Sequence, residues 1–212
     1  IDLVQQQLPE LKPHQILAEP ERKNTAPCIT YAAAKIYSKN PKAILIVAPS
    51  DHLILKEHRF ARIVNIAIKR VQENDKLLTL GIKPNRPDTG YGYIQFHQEG
   101  DITPGQISKV KQFTEKPNRE LAEIFVKSGD YYWNSGIFVW KAKTILKAIE
   151  KFQPELFELF CTNKNVYNTP EEEDYINKAF RECEDISIDF AVMENAKNVE
   201  VVLADFDWSD IG

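Results

Sequence analysis

The sequence predicts an α/β fold built around a parallel sheet, and three stretches carry that prediction. Ala43–Ala48 (AILIVA) is apolar without alternation, as expected of a strand covered on both faces. Leu77–Ile82 (LLTLGI) repeats the pattern. Between them, Phe60, Ile63, Val64, Ala67, Ile68 and Val71 form one stripe on the 3.6-residue period, predicting a helix over about Glu57–Glu73. Strand, helix and strand in that order imply right-handed crossovers between parallel strands.

The bulk numbers set the bounds. The 212 residues suffice for one domain with a large core, and we expect 1–212 to be a single domain. Hydrophobic residues make up 43% and charged residues 27%, ordinary for a globular protein. A net charge of −4 argues against nucleic acid or an anionic membrane as the main partner. No apolar run approaches the ~20 residues of a membrane-spanning helix, and no signal-peptide pattern opens the chain. Cys28, Cys161 and Cys183 are odd in number and lack CxxC spacing, which fits a reduced cytoplasm better than a disulfide framework or zinc site. The chain opens on Ile1, has Met193 as its one methionine and closes on Asp210-Ile211-Gly212, so we expect a segment of a longer protein.

Taken in order, Ile1–Lys12 permits a helix that stops before Pro13, and Gln15–Glu19 (QILAE) reads as a short strand. Asn24 is a suitable cap for a helix with Pro27 in its first turn and Ile29, Ala32, Ala33, Ile36 and Tyr37 on one face. Asn40-Pro41 ends it. After Leu77–Ile82 the pattern changes: Tyr91–His97 and Gln106–Thr114 are strand-like around a Gly/Asp/Pro loop, as in a hairpin insertion. A helix over Asn118–Ser128, a strand over Trp133–Trp140 and helices over Lys143–Phe152, Pro154–Cys161 and Pro170–Arg181 follow. A short helix from Ser187 to Glu194 and a strand at Glu200–Ala204 complete the reading.

The polar segments at strand ends are the candidates for chemistry, because ligands of open α/β sheets bind at the carboxyl ends of strands. Pro49-Ser50-Asp51-His52 follows the first buried strand and aims the Asp51 carboxylate there. Glu19–Pro27 (EPERKNTAP) leads into a helix amino terminus, which favours an anion or a polar ligand edge. In Lys83–Tyr93 (KPNRPDTGYGY), Gly90 and Gly92 allow close approach to the backbone. Glu115 and Lys116 in FTEKP pair an acceptor for hydroxyls with a cation for a phosphate. Asn134 lies in a polar break within an apolar strand, costly unless its groups find partners. Asp210 lies beyond the last strand. Singly, each has an ordinary role: Asp51 and Asp210 as turn formers, Glu115-Lys116 as a solvated pair, Gly90 and Gly92 as turn glycines, Asn134 as a bulge residue. His14, His52, His58 and His97 share no metal-ligand spacing and read as structural or surface residues. Gly-rich phosphate loops of the P-loop and dinucleotide types are absent.

In order and approximate spacing, EPERKNTAP, APSDH, RPDTGYGYI, FTEKP, WNSGIF, SIDFAVME and DWSDIG resemble the bacterial mannose-1-phosphate guanylyltransferases of the nucleotidyltransferase superfamily, from about Leu17 to Gly212. The resemblance implies a Rossmann-like αβα fold with a mixed, mainly parallel sheet whose first strand is missing. It implies the reaction of GTP with mannose 1-phosphate to give GDP-mannose and pyrophosphate, with Mg²⁺ as cofactor, Asp51 and Asp210 as its ligands, and Asp51, Lys116 and Asp210 as the catalytic set. Glu19, Asn24 and Thr25 match the guanosine segment; Gly92, Glu115 and Asn134 match the mannose site; Ser187 and Asp189 shape the surroundings. The family's Gly-rich loop with Arg and Lys has no counterpart, so these 212 residues alone are expected to be nearly inactive. A homodimer could cover the edge left by a missing strand. Two alternatives stay open: a relative acting on another base or sugar, and a non-catalytic sugar-nucleotide-binding subunit.

Overall fold

A computed structural model describes every residue except Glu99. After helix α1 (Asp2–Gln7) and a 3₁₀ turn at Pro13–Gln15, the elements are α2 (Thr25–Lys39), β1 (Ile44–Val47), β2 (His52–Ile54), α3 (Glu57–Glu73), β3 (Leu77–Ile82), β4 (Tyr93–Phe96) and β5 (Ile107–Thr114). There follow α4 (Arg119–Ser128), β6 (Tyr131–Lys141), α5 (Ala142–Phe152), α6 (Pro154–Cys161), α7 (Glu172–Glu182), a π-helical turn at Asp189–Met193, β7 (Val199–Ala204) and β8 (Trp208–Asp210). Six strands form the main sheet in the order β1-β6-β3-β7-β5-β4, and β2 and β8 form a separate ladder.

Period-two alternation splits the central strands between two cores. Leu78 and Leu80 of β3, Ile137 and Val139 of β6, and Val202 of β7 meet Ile63, Val64, Ala67 and Val71 on the α3 stripe. Their neighbours Leu77, Phe138, Trp140, Val201 and Leu203 pack on the opposite face with α2, α5, α6 and α7. The result is a three-layer αβα arrangement, as the family resemblance implies. Among the described residues no helix is long and apolar enough to cross a membrane.

Three expectations need correction. Gln15–Glu19 forms no strand: beyond the 3₁₀ turn its backbone joins no ladder, and Ala18 and Glu19 are exposed. β propensity cannot supply a pairing partner. Second, Ala43–Ala48 is not covered on both faces. β1 is an edge strand paired only with β6, and Ile46 is 48% exposed. Third, the sheet is mixed but not mainly parallel. β1, β3 and β7 share a direction, yet antiparallel β6 lies between β1 and β3, so the β3–β7 pair is the one parallel pairing of six among the described residues. An apolar run names neither a strand's hydrogen-bonded neighbour nor the direction in which that neighbour runs.

The centre of the sheet is tight at Gly81, where β3 and β6 shift register. A Cβ there would lie 2.6 Å from Cγ2 of fully buried Val201 and 3.4 Å from Cβ of Tyr132. Gly81→Ala should therefore destabilise the chain by about 1–3 kcal/mol through overpacking. Urea unfolding checks this, and a midpoint at or above that of the parent chain would show that the centre has room.

Candidate active site

The β2–β8 ladder builds the first part of the site. Beyond β1 the chain turns through Pro49–Asp51, and His52, Leu53 and Ile54 pair antiparallel with Asp210, Ser209 and Trp208. The Ile211 N–H donates to the Asp51 carbonyl at 3.1 Å, and the Leu55 and Lys56 N–H groups donate to Asp207 and Phe206 at 3.1 Å each. This places a carboxylate oxygen of Asp51, one of Asp210 and a ring nitrogen of His52 within 4.8 Å of one another. Among the described residues no Lys or Arg pairs with either carboxylate. Two hard oxygen donors this close, with no protein cation between them, suit a divalent ion such as Mg²⁺, which needs only one or two carboxylates beside phosphate oxygens and water.

The sequence reads His52 as structural, and the structure sets it between the carboxylates and an aromatic cluster. The Trp208 Nε1–H donates to His52 Nδ1 at 3.1 Å, and the two rings meet edge to face at 5.2 Å. Burial pulls the imidazole below its ordinary pKa, while Asp210 and Asp51 oppose that shift. Trp208 in turn packs on Tyr91 at 5.1 Å and Trp133 at 6.5 Å, tying the Lys83–Tyr93 loop to β8.

The second part centres on Asn134, in the middle of β6. The Thr79 hydroxyl donates to Asn134 Oδ1 at 2.6 Å, and Asn134 Nδ2 donates to Asp189 Oδ1 at 2.9 Å. These bonds are the partners that the polar break requires, and they leave Asn134 one amide hydrogen for a ligand. Its backbone N–H donates to the Gly92 carbonyl at 2.8 Å. A Cβ on Gly92 would stand 2.5 Å from Glu115 Oε2, so only glycine admits the carboxylate this close to the backbone. The Glu115 N–H donates to Glu194 Oε1 at 3.2 Å. Glu115 is pushed up to about 7, first by burial, then by the Asp189 carboxylate, with Lys116 opposing. Asp189 is pushed up to about 6, chiefly by burial. Lys116 has φ 43° and a side chain 65% exposed, with Nζ 3.8 Å from Glu115 Oε1.

The third part is the segment before α2. Asn24 has φ 64° and ψ −166°, a region in which nonglycine residues are strained. Its Oδ1 accepts from the Thr25 N–H at 2.9 Å. The Thr25 hydroxyl accepts from the Ile188 N–H at 2.8 Å, and the Ala26 N–H donates to Ile186 at 3.1 Å, fastening this segment to the one that carries Asp189. Desolvation, with the neighbouring Glu19 carboxylate second, pushes the Cys28 thiol up to about 12. Gly136 links the first two parts: its N–H donates to Asn134 Oδ1 at 3.3 Å, and a Cβ there would lie 3.8 Å from the His52 ring. The Ser187 hydroxyl accepts from the Phe190 N–H at 3.3 Å, and Asp189 accepts from Asn134 as described. Residues the sequence reading missed are His52, Trp208, Thr79 and Glu194; Trp208 had a signal, standing two residues before Asp210.

Known proteins share much of this chain. A family model described as nucleotidyl transferase matches residues 2–212. A Klebsiella pneumoniae protein named mannose-1-phosphate guanylyltransferase is 38% identical over 99% of the chain, which spans 45% of that relative's length. The chain thus spans less than half the length of the curated relatives it matches first. A solved Thermus thermophilus structure, described as mannose-1-phosphate geranyltransferase, superposes with a TM-score of 0.79 at 27% identity, covering 92% of this chain and 54% of that one. A Helicobacter pylori structure described as mannose-6-phosphate isomerase gives a TM-score of 0.76 at 30% identity, covering 96% and 79%.

The raised Glu115 pKa fixes a stability profile. The folded state holds the proton up to about pH 7, whereas the unfolded chain releases it near the ordinary 4.5. Stability therefore falls as pH rises through that window. Glu115→Gln should match the parent chain below pH 4.5 and exceed it at pH 8 by about 3 kcal/mol. Urea titrations at both values test this; parallel pH profiles for the two proteins would show that the carboxyl is not held neutral.

Proposed function

The chain belongs to the nucleotidyl transferase family, and from that premise we propose that it serves guanylyl transfer from GTP to mannose 1-phosphate, giving GDP-mannose and pyrophosphate. The observation that carries the reading is the closeness of the Asp51 and Asp210 carboxylates across the β2–β8 ladder. The relative named mannose-1-phosphate guanylyltransferase supports the choice of substrates. The cytoplasm, where nucleoside triphosphates are made and three unpaired cysteines stay reduced, is the proposed location.

In this reading an oxygen of the sugar phosphate attacks the α-phosphorus in line. A new P–O bond forms, the α–β bridge breaks, and pyrophosphate leaves. No side chain acts as nucleophile, so positioning and charge neutralisation do the work. Asp51 and Asp210 would hold Mg²⁺, which supplies positive charge to the phosphates when bound. Lys116 extends a solvent-reaching ammonium toward the sugar phosphate. Glu115 and the free amide hydrogen of Asn134 take mannose hydroxyls, and the Gly92 backbone lies close enough to join them. Glu19, Asn24 and Thr25 face the guanine, whose N1–H and N2 donors suit a carboxylate.

Calorimetry on the chain tests the proposal. GDP-mannose should bind with Mg²⁺ present, and EDTA or Asp210→Asn should weaken it roughly tenfold or more, about 1.4 kcal/mol. Equal affinity with and without the Asp210 carboxylate would remove the metal role. For the base, Glu19→Gln should narrow the preference for GDP-mannose over ADP-mannose severalfold; unchanged discrimination would take Glu19 out of the guanine site.

A further inference from the structure

Beside the carboxylate pair, one contact serves no part of the reaction described above: the hydrogen bond from Trp208 to His52. We infer that the Trp208 indole locks His52 as the neutral Nε2–H tautomer, and that this lock keeps the imidazole out of the cation's ligand set. The inference deepens the proposed function and rests on its reading that Asp51 and Asp210 hold a divalent cation.

An indole N–H only donates, so His52 Nδ1, 3.1 Å away, must present its lone pair. A neutral imidazole then carries its proton on Nε2. That nitrogen lies 3.9 Å from Asp51 Oδ1. The His52 side chain is only 7% exposed, so its ring is enclosed, whereas that of Asp51 is 54% exposed. The ring is held by the ladder register of His52 opposite Asp210 and by the Trp208 edge. Trp208 is itself wedged against Tyr91 and Trp133, with the Arg86 guanidinium 5.8 and 5.2 Å from those two rings. A line of contacts thus runs from Arg86 through the aromatic cluster to the metal-facing carboxylate.

The lock has a consequence for metal choice. With Nε2 protonated, the protein offers two carboxylate oxygens, a hard set suited to Mg²⁺ and Mn²⁺. Without the indole N–H, the imidazole can shift its proton to Nδ1 and turn the Nε2 lone pair toward the cation, a donor that favours Zn²⁺.

Long-range ¹H–¹⁵N spectra of the chain report the His52 tautomer, and Zn²⁺ and Mg²⁺ titrations report the affinity ratio without any turnover. The expected result is the Nε2–H form with and without Mg²⁺. Trp208→Phe, which keeps an aromatic ring, should move the Zn²⁺/Mg²⁺ affinity ratio toward zinc by roughly tenfold, the scale of outer-shell effects on metal sites. Adding His52→Gln should reverse that gain. His52→Gln alone leaves Trp208 in place and serves if Trp208→Phe fails to fold; it should leave zinc affinity unchanged. An Nδ1–H tautomer in the parent chain, an unmoved ratio in Trp208→Phe, or a loss of zinc affinity in His52→Gln overturns the inference. Failure of Mg²⁺ and Mn²⁺ to bind at all overturns the cation reading and the selectivity with it, while the tautomer spectrum decides the Trp208–His52 lock separately.

Discussion

A three-residue ladder is the constraint on which the site depends. Asp51 follows β1 and Asp210 lies near the end of the chain, and neither is rigid through its own neighbours. Pairing His52–Ile54 with Trp208–Asp210 brings them together, and the Ile211-to-Asp51 backbone bond closes the end of the ladder. So short a ladder has little stability alone. It is held because Trp208 packs into the aromatic cluster of Tyr91 and Trp133, and because Phe206, fully buried against α3, anchors the strand that precedes it. The Asp51 and Asp210 carboxylates thus draw their geometry from the core of the sheet.

The part around Asn134 shows the opposite balance, with polar and acidic groups placed where burial is costly. Asn134 sits in a strand whose neighbours are apolar, and Asp189 and Glu115 are partly buried carboxyls with Glu194 nearby. Asn134 donates to Asp189, and Lys116 opposes the mutual repulsion of the acids. Backbone strain accumulates in the same places: of four nonglycine residues with positive φ among the described residues, Asn24, Lys116 and Asp207 lie in or beside the site. Such strain persists only where surrounding contacts over-determine it. At Asn24 those contacts are the paired bonds from the Thr25–Ala26 step to Ile186 and Ile188.

Much of this was legible in the sequence, for reasons that also explain the failures. The α3 stripe and the Leu77–Ile82 strand have the stated bounds, because the periodicity of burial is written directly in residue type. The α4 helix is likewise marked by its Asn118 cap, whose side chain accepts from the Leu121 N–H. Pairing is not written that way. Nothing in LLTLGI or WNSGIFVW says that β6 runs antiparallel between β1 and β3, and nothing in QILAE says that it finds no partner. The candidate site residues were read as segments, by motif and by place at strand ends. His52 was missed because a lone histidine carries no spacing signal, and its meaning comes from Trp208, 156 positions away.

The most direct test of the account is a crystal of the chain grown with Mn²⁺ and GDP-mannose, with data collected at the manganese absorption edge. The account predicts one anomalous peak coordinated by oxygens of both Asp51 and Asp210, beside the nucleotide phosphates. Nucleotide bound with the manganese elsewhere, or held by only one of the two carboxylates, would contradict it.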